Sequence, residues 1–459
     1  MSLKLAPTNR HDSPKAERRK ALGAYYTPPA LVDHLIQTAL GPVIEAACRQ
    51  DDPARALSAL RICDPACGAG AFLIPAARRL GEALAGVSGF DVDFALKEVT
   101  ARCIVGWDID PEAVRVCRRA LARQAELDDS AVQVSCRDAL WVGGEGMFDA
   151  ILTNPPFLNA IERRKDSDAC LRAAYPELGG TADCALYFLA LADRLVRPDG
   201  WIGMVLPRAA LGATAGDRLR RDMRHRPREI GLLAQSDSFD DADIYVTLAT
   251  LGPAGPATVV DGARHASGEL GDPNWWRGAR TLLDGPATAQ ARSPSAAFQV
   301  EAGMTVGEAY IAARLAADEP AGAGQRLITT GMIGLGECRW GERPFRFLGR
   351  RLSYPRLAPS YEAPASLVRR LERSTRPKLI VAGLARCLRC YLDELGECQG
   401  FVSTYHVTVD GDALDQLRAL QTFLHGEQAS ERFRRELGAS ALGGGSITLT
   451  KRFLQDLIR

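Results

Sequence analysis

Between residues 60 and 255 short apolar runs alternate with amphipathic stretches. The runs predict strands at Leu60–Cys63, Ala101–Trp107, Val132–Ser135, Ala150–Leu152, Trp201–Leu206 and Tyr245–Leu251. The stretches between them predict helices at Ala71–Leu84, Pro111–Glu126, Ala182–Leu195 and Asp217–Arg226. Strands alternating with helices at this spacing read as a parallel sheet with crossover connections, an α/β fold. Ahead of this block, Pro28–Ala46 reads as a helix that opens with proline in its first turn. From Gly252 to Ser295 the pattern dissolves into Gly, Pro, Ala and Ser, with Trp275-Trp276 as its heavy apolar pair. That composition predicts a connector. Past Phe298 a second patterned region begins, with strand candidates Arg326–Ile333, Lys378–Leu384 and Phe401–Val409. Its helix candidates are Val306–Ala316, Ala413–His425 and Ser430–Leu437. The expected organisation is a first domain over 1–255, a connector over 256–300 and an α+β domain over 301–459.

A chain of 459 residues has room for two or three domains at roughly 100–200 residues each. With 46% hydrophobic and 25% charged residues it can bury a large core. The segment Met1 to Lys20 is polar and lacks an apolar signal region, and no run of 18 apolar residues occurs. A soluble, cytoplasmic protein is therefore expected. Twelve cysteines at irregular spacing then read as reduced core thiols. Cys387, Cys390, Cys398 and His406 have spacing that permits zinc. A second C-x2-C is missing, however, and Cys390 runs straight into strand-like sequence, so buried thiols and no metal are expected.

The formal charge of +1 excludes a histone-like polycation and an acidic solvating chain. Divided along the chain it changes meaning. Residues 343–389 carry 12 basic side chains against two acidic ones, interleaved with Phe345, Phe347, Tyr354 and Tyr361. A solvated face is one reading. A long, poorly periodic stretch of arginine and aromatics fits a nucleic-acid surface better. Arg343, Arg346, Arg350, Arg351 and Arg356 are its candidate contacts.

Candidate chemistry gathers at the ends of the predicted strands. Leu60–Leu73 is an apolar strand, a turn with Gly68 and Gly70, then a helix. The glycines let the backbone bend and approach a ligand at the carboxyl end of the strand, where open α/β sheets bind. The second strand ends at Asp108, 38 residues past Gly70, farther than the ~20 of a dinucleotide site. Asp108 can hold both hydroxyls of a ribose, and Ile109 can pack on an adenine face. The third strand leads to Asp138, which can accept from an adenine amino group. Acids after three consecutive strands suit a nucleoside-containing ligand, whereas a helix-capping role is natural for Asp110 and Asp64 alone.

The fourth strand ends in Asn154-Pro155-Pro156-Phe157. Two prolines lock the loop and remove two N–H donors, leaving carbonyls as pure acceptors. The Asn154 side-chain oxygen and the Pro155 carbonyl can each accept one N–H of a planar amine and aim its lone pair. Phe157 can stack on the ring that bears the amine.

In this order the motifs resemble those of adenine-N6 DNA methyltransferases of the gamma (TaqI-like) arrangement, with a TaqI-like C-terminal specificity domain. Gly23–Pro29 is similar to the family's N-terminal motif, which implies that the Tyr26-Thr27 loop covers the methionine end of S-adenosylmethionine. Asp64–Leu73, including Ala66, resembles its glycine motif, Gly106–Pro111 its ribose motif, Asp138-Ala139 its adenine motif and Asn154–Phe157 its catalytic motif. Asp183–Tyr187, Trp201–Pro207 and Phe239–Leu251 resemble later sheet motifs, the last completing the target-base pocket. The resemblance covers about residues 20–255 and is weaker past 300, where Leu327–Gly331, Trp340-Gly341, Lys378–Gly383 and Gly443–Ser446 carry it. It departs at Thr250-Leu251-Gly252, where some members place an aromatic, and Tyr245 or Phe239 stand in.

The resemblance implies a Rossmann-like class I methyltransferase sheet with helices on both faces and a C-terminal target-recognition domain. S-adenosylmethionine would be the cofactor and double-stranded DNA the partner, with room for a separate restriction endonuclease or defence partner. The target adenine would be flipped out of the duplex and held by Asn154 and Pro155 in line with the methyl group. No general base is required, since positioning and preorganised acceptors supply the acceleration. The same loop serves RNA base methyltransferases and enzymes that methylate glutamine in release factors. The N-terminal Tyr-Thr-Pro-Pro argues against the first. The long C-terminal extension and the lack of a preceding helical domain argue against the second. A non-enzymatic DNA-binding subunit is disfavoured by intact Gly68, Gly70, Asp108 and Asn154, and a nuclease fusion by lack of room before the sheet.

Overall fold

In the computed structural model the described residues are 27–157, 165–233, 245–285, 297–342, 344–347, 350–358, 362–410, 413–441 and 445–459. Tyr26, Phe239, Arg343 and Tyr361 lie outside them. The chain divides into two compact units, Met1–Gly285 and Pro286–Arg459.

The first unit is built on a nine-stranded sheet. Its strands are β1 (Ile62–Asp64), β2 (Ile104–Asp108), β3 (Gln133–Cys136), β4 (Phe148–Thr153), β5 (Val196–Pro207), β6 (Pro227–Leu232), β7 (Val246–Leu251), β8 (Ala257–Asp261) and β9 (Arg264–Gly268). They lie in the order β3-β2-β1-β4-β5-β7-β6-β8-β9. The first five positions are parallel, and β7 runs antiparallel to both β5 and β6. The chain leaves β1 first toward β2 and β3, then returns to the other side at β4. That reversal opens a crevice at the carboxyl ends of β1 and β4.

Alternation along β4 shows how the sheet is covered. Ala150 and Leu152 join a core with residues of the helices Pro29–Leu35, Gly41–Cys48, Leu73–Ser88 and Pro111–Gln124. The intervening Ile151 is buried on the opposite face. The helix Cys184–Leu195, with ten buried positions, packs along β5. The fold class is the expected mixed α/β one.

The helix expected over Pro28–Ala46 is present but broken by a π-helical turn at Ile36–Leu40. On its first segment His34 bonds Glu229 of β6 at 2.5 Å. Thr38, inside the turn, bonds the Thr250 hydroxyl of β7 at 2.9 Å. The N-terminal helix is thereby pinned to the sheet, with Thr27 and Pro28 immediately before it.

The first unit differs from the sequence expectation in several elements. Val92–Arg102 is a helix capped by Asp91, so the strand expected from Ala101 begins only at Ile104. Pro227–Leu232 is an unexpected strand, β6. The connector expected over 256–300 carries β8, β9 and the helix Trp275–Asp284. The tryptophan pair explains the helix: both rings are buried on it, behind an Asn274 cap.

The second unit holds two four-stranded sheets. One is antiparallel, ordered 299–302, 404–408, 378–382, 390–393. The other is ordered 317–318, 355–357, 325–328, 398–400 and is parallel at its last pair. Helices Val306–Leu315, Ala365–Arg373, Ala413–His425, Glu427–Leu437 and Lys451–Leu457 complete this α+β unit. At its centre buried Lys378 bonds Asp393 and the Ser374 carbonyl, each at 2.5 Å.

Candidate active site

The strand ends place the predicted residues along one edge of the first unit. After β1 the chain turns through Gly68 and Gly70, with φ of +51° and +95°, values that favour glycine. At Gly70 a side chain would also press on Cys117 Sγ at 3.0 Å. The Gly68 N–H donates to Asp108 Oδ2 at 2.8 Å, joining the turn after β1 to the end of β2. The Asp110 N–H donates to Asp108 Oδ1 at 2.8 Å. A carboxylate has about four acceptor positions, so each Asp108 oxygen keeps capacity for a further donor such as a ribose hydroxyl.

Ile109, next in sequence, is 60% exposed, an apolar side chain left in solvent beside two acids. Asp138, past the end of β3, caps the short turn Ala139–Trp141 through the Leu140 N–H at 3.1 Å and is itself exposed. Ala139 is buried beneath it. An exposed apolar residue flanked by carboxylates, beside a glycine turn at the crevice, fits an adenosine moiety.

Asp64 is different. It is 1% exposed, and its Oδ1 accepts the Ala66 N–H at 3.0 Å. Burial pushes its carboxyl up to about 7, against the opposing pull of the Ala66 N–H and the Thr153 hydroxyl, with the Asp108 charge adding to the rise. Asp108 is raised for the same first reason, burial, and is held back by the Asp110 and Gly68 N–H groups. The Asp108 charge thus opposes ionisation of Asp64, and the Asp110 charge that of Asp108.

At the end of β4, Asn154 is half-buried and its Nδ2 donates to the Thr27 hydroxyl at 2.9 Å. Thr27 is 3% exposed. Pro155 is buried, and Phe157 is half-buried with part of its ring against the sheet core. Pro156 is half-buried between them. β4 and β5 pair through Thr153 and Met204, so the Asn154 loop emerges beside the end of β5. There the Arg208 guanidinium stacks over the Tyr245 ring at 4.5 Å, and the Arg208 N–H donates to the Tyr245 carbonyl at 2.7 Å. The predicted Tyr245 thus lies at the same sheet edge, backed by a residue the sequence pattern did not single out.

A second unforeseen group supports the Asp138 turn. Tyr175, fully buried, donates to the Leu140 carbonyl at 2.9 Å and accepts from Arg194 at 2.7 Å. These partners stand 35 and 19 residues away in the chain, so no local spacing announces them.

The second unit sorts the basic segment. Arg350 donates to the Ala313, Arg314 and Ala316 carbonyls, closing the end of the helix Val306–Leu315. Arg356 donates to the Glu319, Pro320 and Gly324 carbonyls and stacks over Trp340 at 5.0 Å. Arg370, Arg373 and Arg376 pair with Glu308, Glu301 and Asp410, all outside the segment. Arg346 and Arg351 are exposed and stand directly opposite each other on the ribbon 345–347/350–352. The cysteine group is engaged separately: the Cys390 N–H donates to His425 Nε2 at 3.3 Å, and the Gly400 N–H to His406 Nε2 at 2.9 Å.

Residues 14–225, just under half of the chain, match the family model described as N-6 DNA Methylase. The match agrees with the adenine-N6 part of the anticipated resemblance. Type II methyltransferase M.VspI of Vibrio sp. (strain 343) is 29% identical over 168 residues, 36% of this chain and 35% of that protein. Among solved structures, the Type IIL restriction-modification enzyme MmeI in complex with DNA shares the fold at TM-score 0.54 and 12% identity. It is matched over 86% of this chain and 64% of its own. A modification subunit of a putative type I restriction enzyme from Vibrio vulnificus YJ016 has TM-score 0.38 and 22% identity, over 54% of this chain and 50% of that one. The chain thus spans about a third of M.VspI and under two thirds of MmeI. Among the described residues, no helix is long and apolar enough to cross a membrane.

The Asp64 carboxyl yields a prediction of definite sign. Its folded pKa, about 7, lies above the ordinary carboxyl value of 3.8 that holds in the unfolded chain, so folding takes up a proton between those values. Its stability cost is absent well below pH 3.8, grows as pH rises and levels off above pH 7. Asp64→Asn should therefore melt higher than wild type at pH 8, and the gain should shrink steadily toward pH 4. Thermal unfolding across that range checks this; a gain independent of pH contradicts it.

Proposed function

We propose that this chain transfers a methyl group from S-adenosylmethionine to N6 of a flipped-out adenine in double-stranded DNA. The arrangement would be the gamma (TaqI-like) one, in a restriction-modification or phage-defence setting. The observation that carries the reading is the Asn154 loop at the end of β4, beside the Gly68–Asp108 cradle at the switch point of the sheet. The match to the N-6 DNA Methylase model, the type II methyltransferase name of M.VspI and the restriction-modification name of MmeI support it.

Asp108 would hold the ribose, Ile109 one adenine face and Asp138 the adenine amino group. Asp64 and Ala66 would shape the turn, with Gly68 and Gly70 letting the backbone come close and Ala139 flooring the site. The cofactor, when bound, supplies an electrophilic methyl group. The Asn154 side-chain oxygen and the Pro155 carbonyl would each accept one N–H of the target amine. Those two bonds draw the nitrogen toward tetrahedral geometry and aim its lone pair. Pro156 keeps the loop stiff, and Phe157 would stack on the flipped base, with Tyr245 as the opposing wall. The acceptors are preorganised, so little reorganisation is left for the reaction itself.

The second unit would hold the duplex. Arg346 and Arg351 are the arginines best placed for phosphates. Like charges directly opposite on a ribbon repel, and a bridging phosphate removes that repulsion. Arg350 and Arg356 would instead keep that surface in shape. A separate endonuclease partner would complete the system.

Labelled S-adenosylmethionine should mark duplex DNA at adenine. Asn154→Ala should cut transfer by about 10²–10³-fold with cofactor affinity roughly intact. Label confined to RNA or to a protein glutamine would overturn the proposal. The double variant Arg346→Ala/Arg351→Ala should weaken duplex binding and lower the slope of log affinity against log salt by about 1–2. An unchanged slope rules these two residues out as phosphate contacts.

A further inference from the structure

The geometry points to Thr27 as a positioning residue for Asn154, an inference that rests on the proposed methyl transfer. Sequence resemblance alone puts Thr27 on the cofactor. In the structure its hydroxyl, on a residue 3% exposed, stands 2.9 Å from Asn154 Nδ2 and accepts from it. The two residues are 127 positions apart, so the contact belongs to the fold and not to local geometry.

What it does follows from the chemistry of an amide. The terminal torsion of asparagine has two broad wells that exchange oxygen for nitrogen. Only the oxygen can accept an N–H from a substrate amine; the nitrogen would present a donor to a donor. A hydroxyl that engages Nδ2 from behind sets the nitrogen toward the N-terminal helix and leaves Oδ1 for the amine. Threonine suits the task because its branched Cβ restricts χ1. Its backbone is anchored in turn by the helix that follows it, pinned through His34–Glu229 and Thr38–Thr250. The N-terminal motif would thus contribute to the orientation of the acceptor as well as to closing over the cofactor.

A positioning role separates kcat from KM. Thr27→Val keeps shape and removes the hydroxyl. It should lower kcat by about 10²-fold, the scale of a small misplacement of a reacting group, while KM for S-adenosylmethionine and for duplex DNA and the melting temperature stay near wild type. Thr27→Ser should restore most of kcat. In an Asn154→Asp background, where no amide remains to be oriented, Thr27→Val should add little further loss. A raised KM for S-adenosylmethionine with kcat kept would assign Thr27 to the cofactor and overturn the inference. So would equal losses in both backgrounds. Wild-type chain that labels no adenine in DNA would instead overturn the proposed function, and the two failures are read from different samples.

Discussion

The reversal of strand order at β1 is the constraint on which the site depends. Because β1 pairs in parallel with β2 on one side and β4 on the other, the loops after β1 and β4 must leave the sheet side by side and diverge. Parallel pairing also brings the carboxyl ends of β1 to β5 to the same edge. The glycine turn, Asp108, the Asp138 turn and the Asn154 loop share one crevice for that reason, although they span 91 residues from Asp64 to Asn154. The N-terminal helix, folded back over β6 and β7, brings Thr27 to the same edge.

Electrostatics in the crevice run against ordinary carboxylate behaviour. Asp64 and Asp108 are both raised by burial, and each is partly rescued by backbone N–H groups donated by the turns themselves. The bond from Gly68 to Asp108 therefore has two effects: it fixes the turn, and it stabilises the charge that would receive a ribose. Such an arrangement stores part of the cost of binding in the folded state, as preorganised sites do.

The sequence is most readable where candidate chemistry and strand ends coincide. Asp64–Gly70, Asp108 and Asn154–Phe157 follow apolar strands whose pattern is unmistakable, and each appears at a strand end in the structure. Elements without such punctuation were missed. Val92–Arg102 buries only Ala95, Leu96, Val99 and Thr100, too narrow a stripe to stand out. β8 and β9 are short strands in a Gly- and Pro-rich stretch and take their form from pairing, β8 with β6 and β9 with β8. Charge was harder still. Counting signs over 343–389 shows a strongly basic segment, but Glu301, Glu308 and Asp410 answer three of its arginines from elsewhere in the fold. Carbonyls take the donors of Arg350 and Arg356. A linear count records charge, whereas only the fold records which charges remain for a partner. Tyr175 and Arg208 were invisible for the same reason, since their meaning lies in partners distant along the chain.

The central claim is that the Asn154 loop acts on adenine N6 in DNA. Single-molecule sequencing of genomic DNA from a host that expresses the chain tests it most directly, with a host lacking the chain as reference. The account predicts N6-methyladenine at one short recurring sequence, present only where the chain is expressed. Unmodified adenine throughout, or a modification that falls on cytosine, would contradict it.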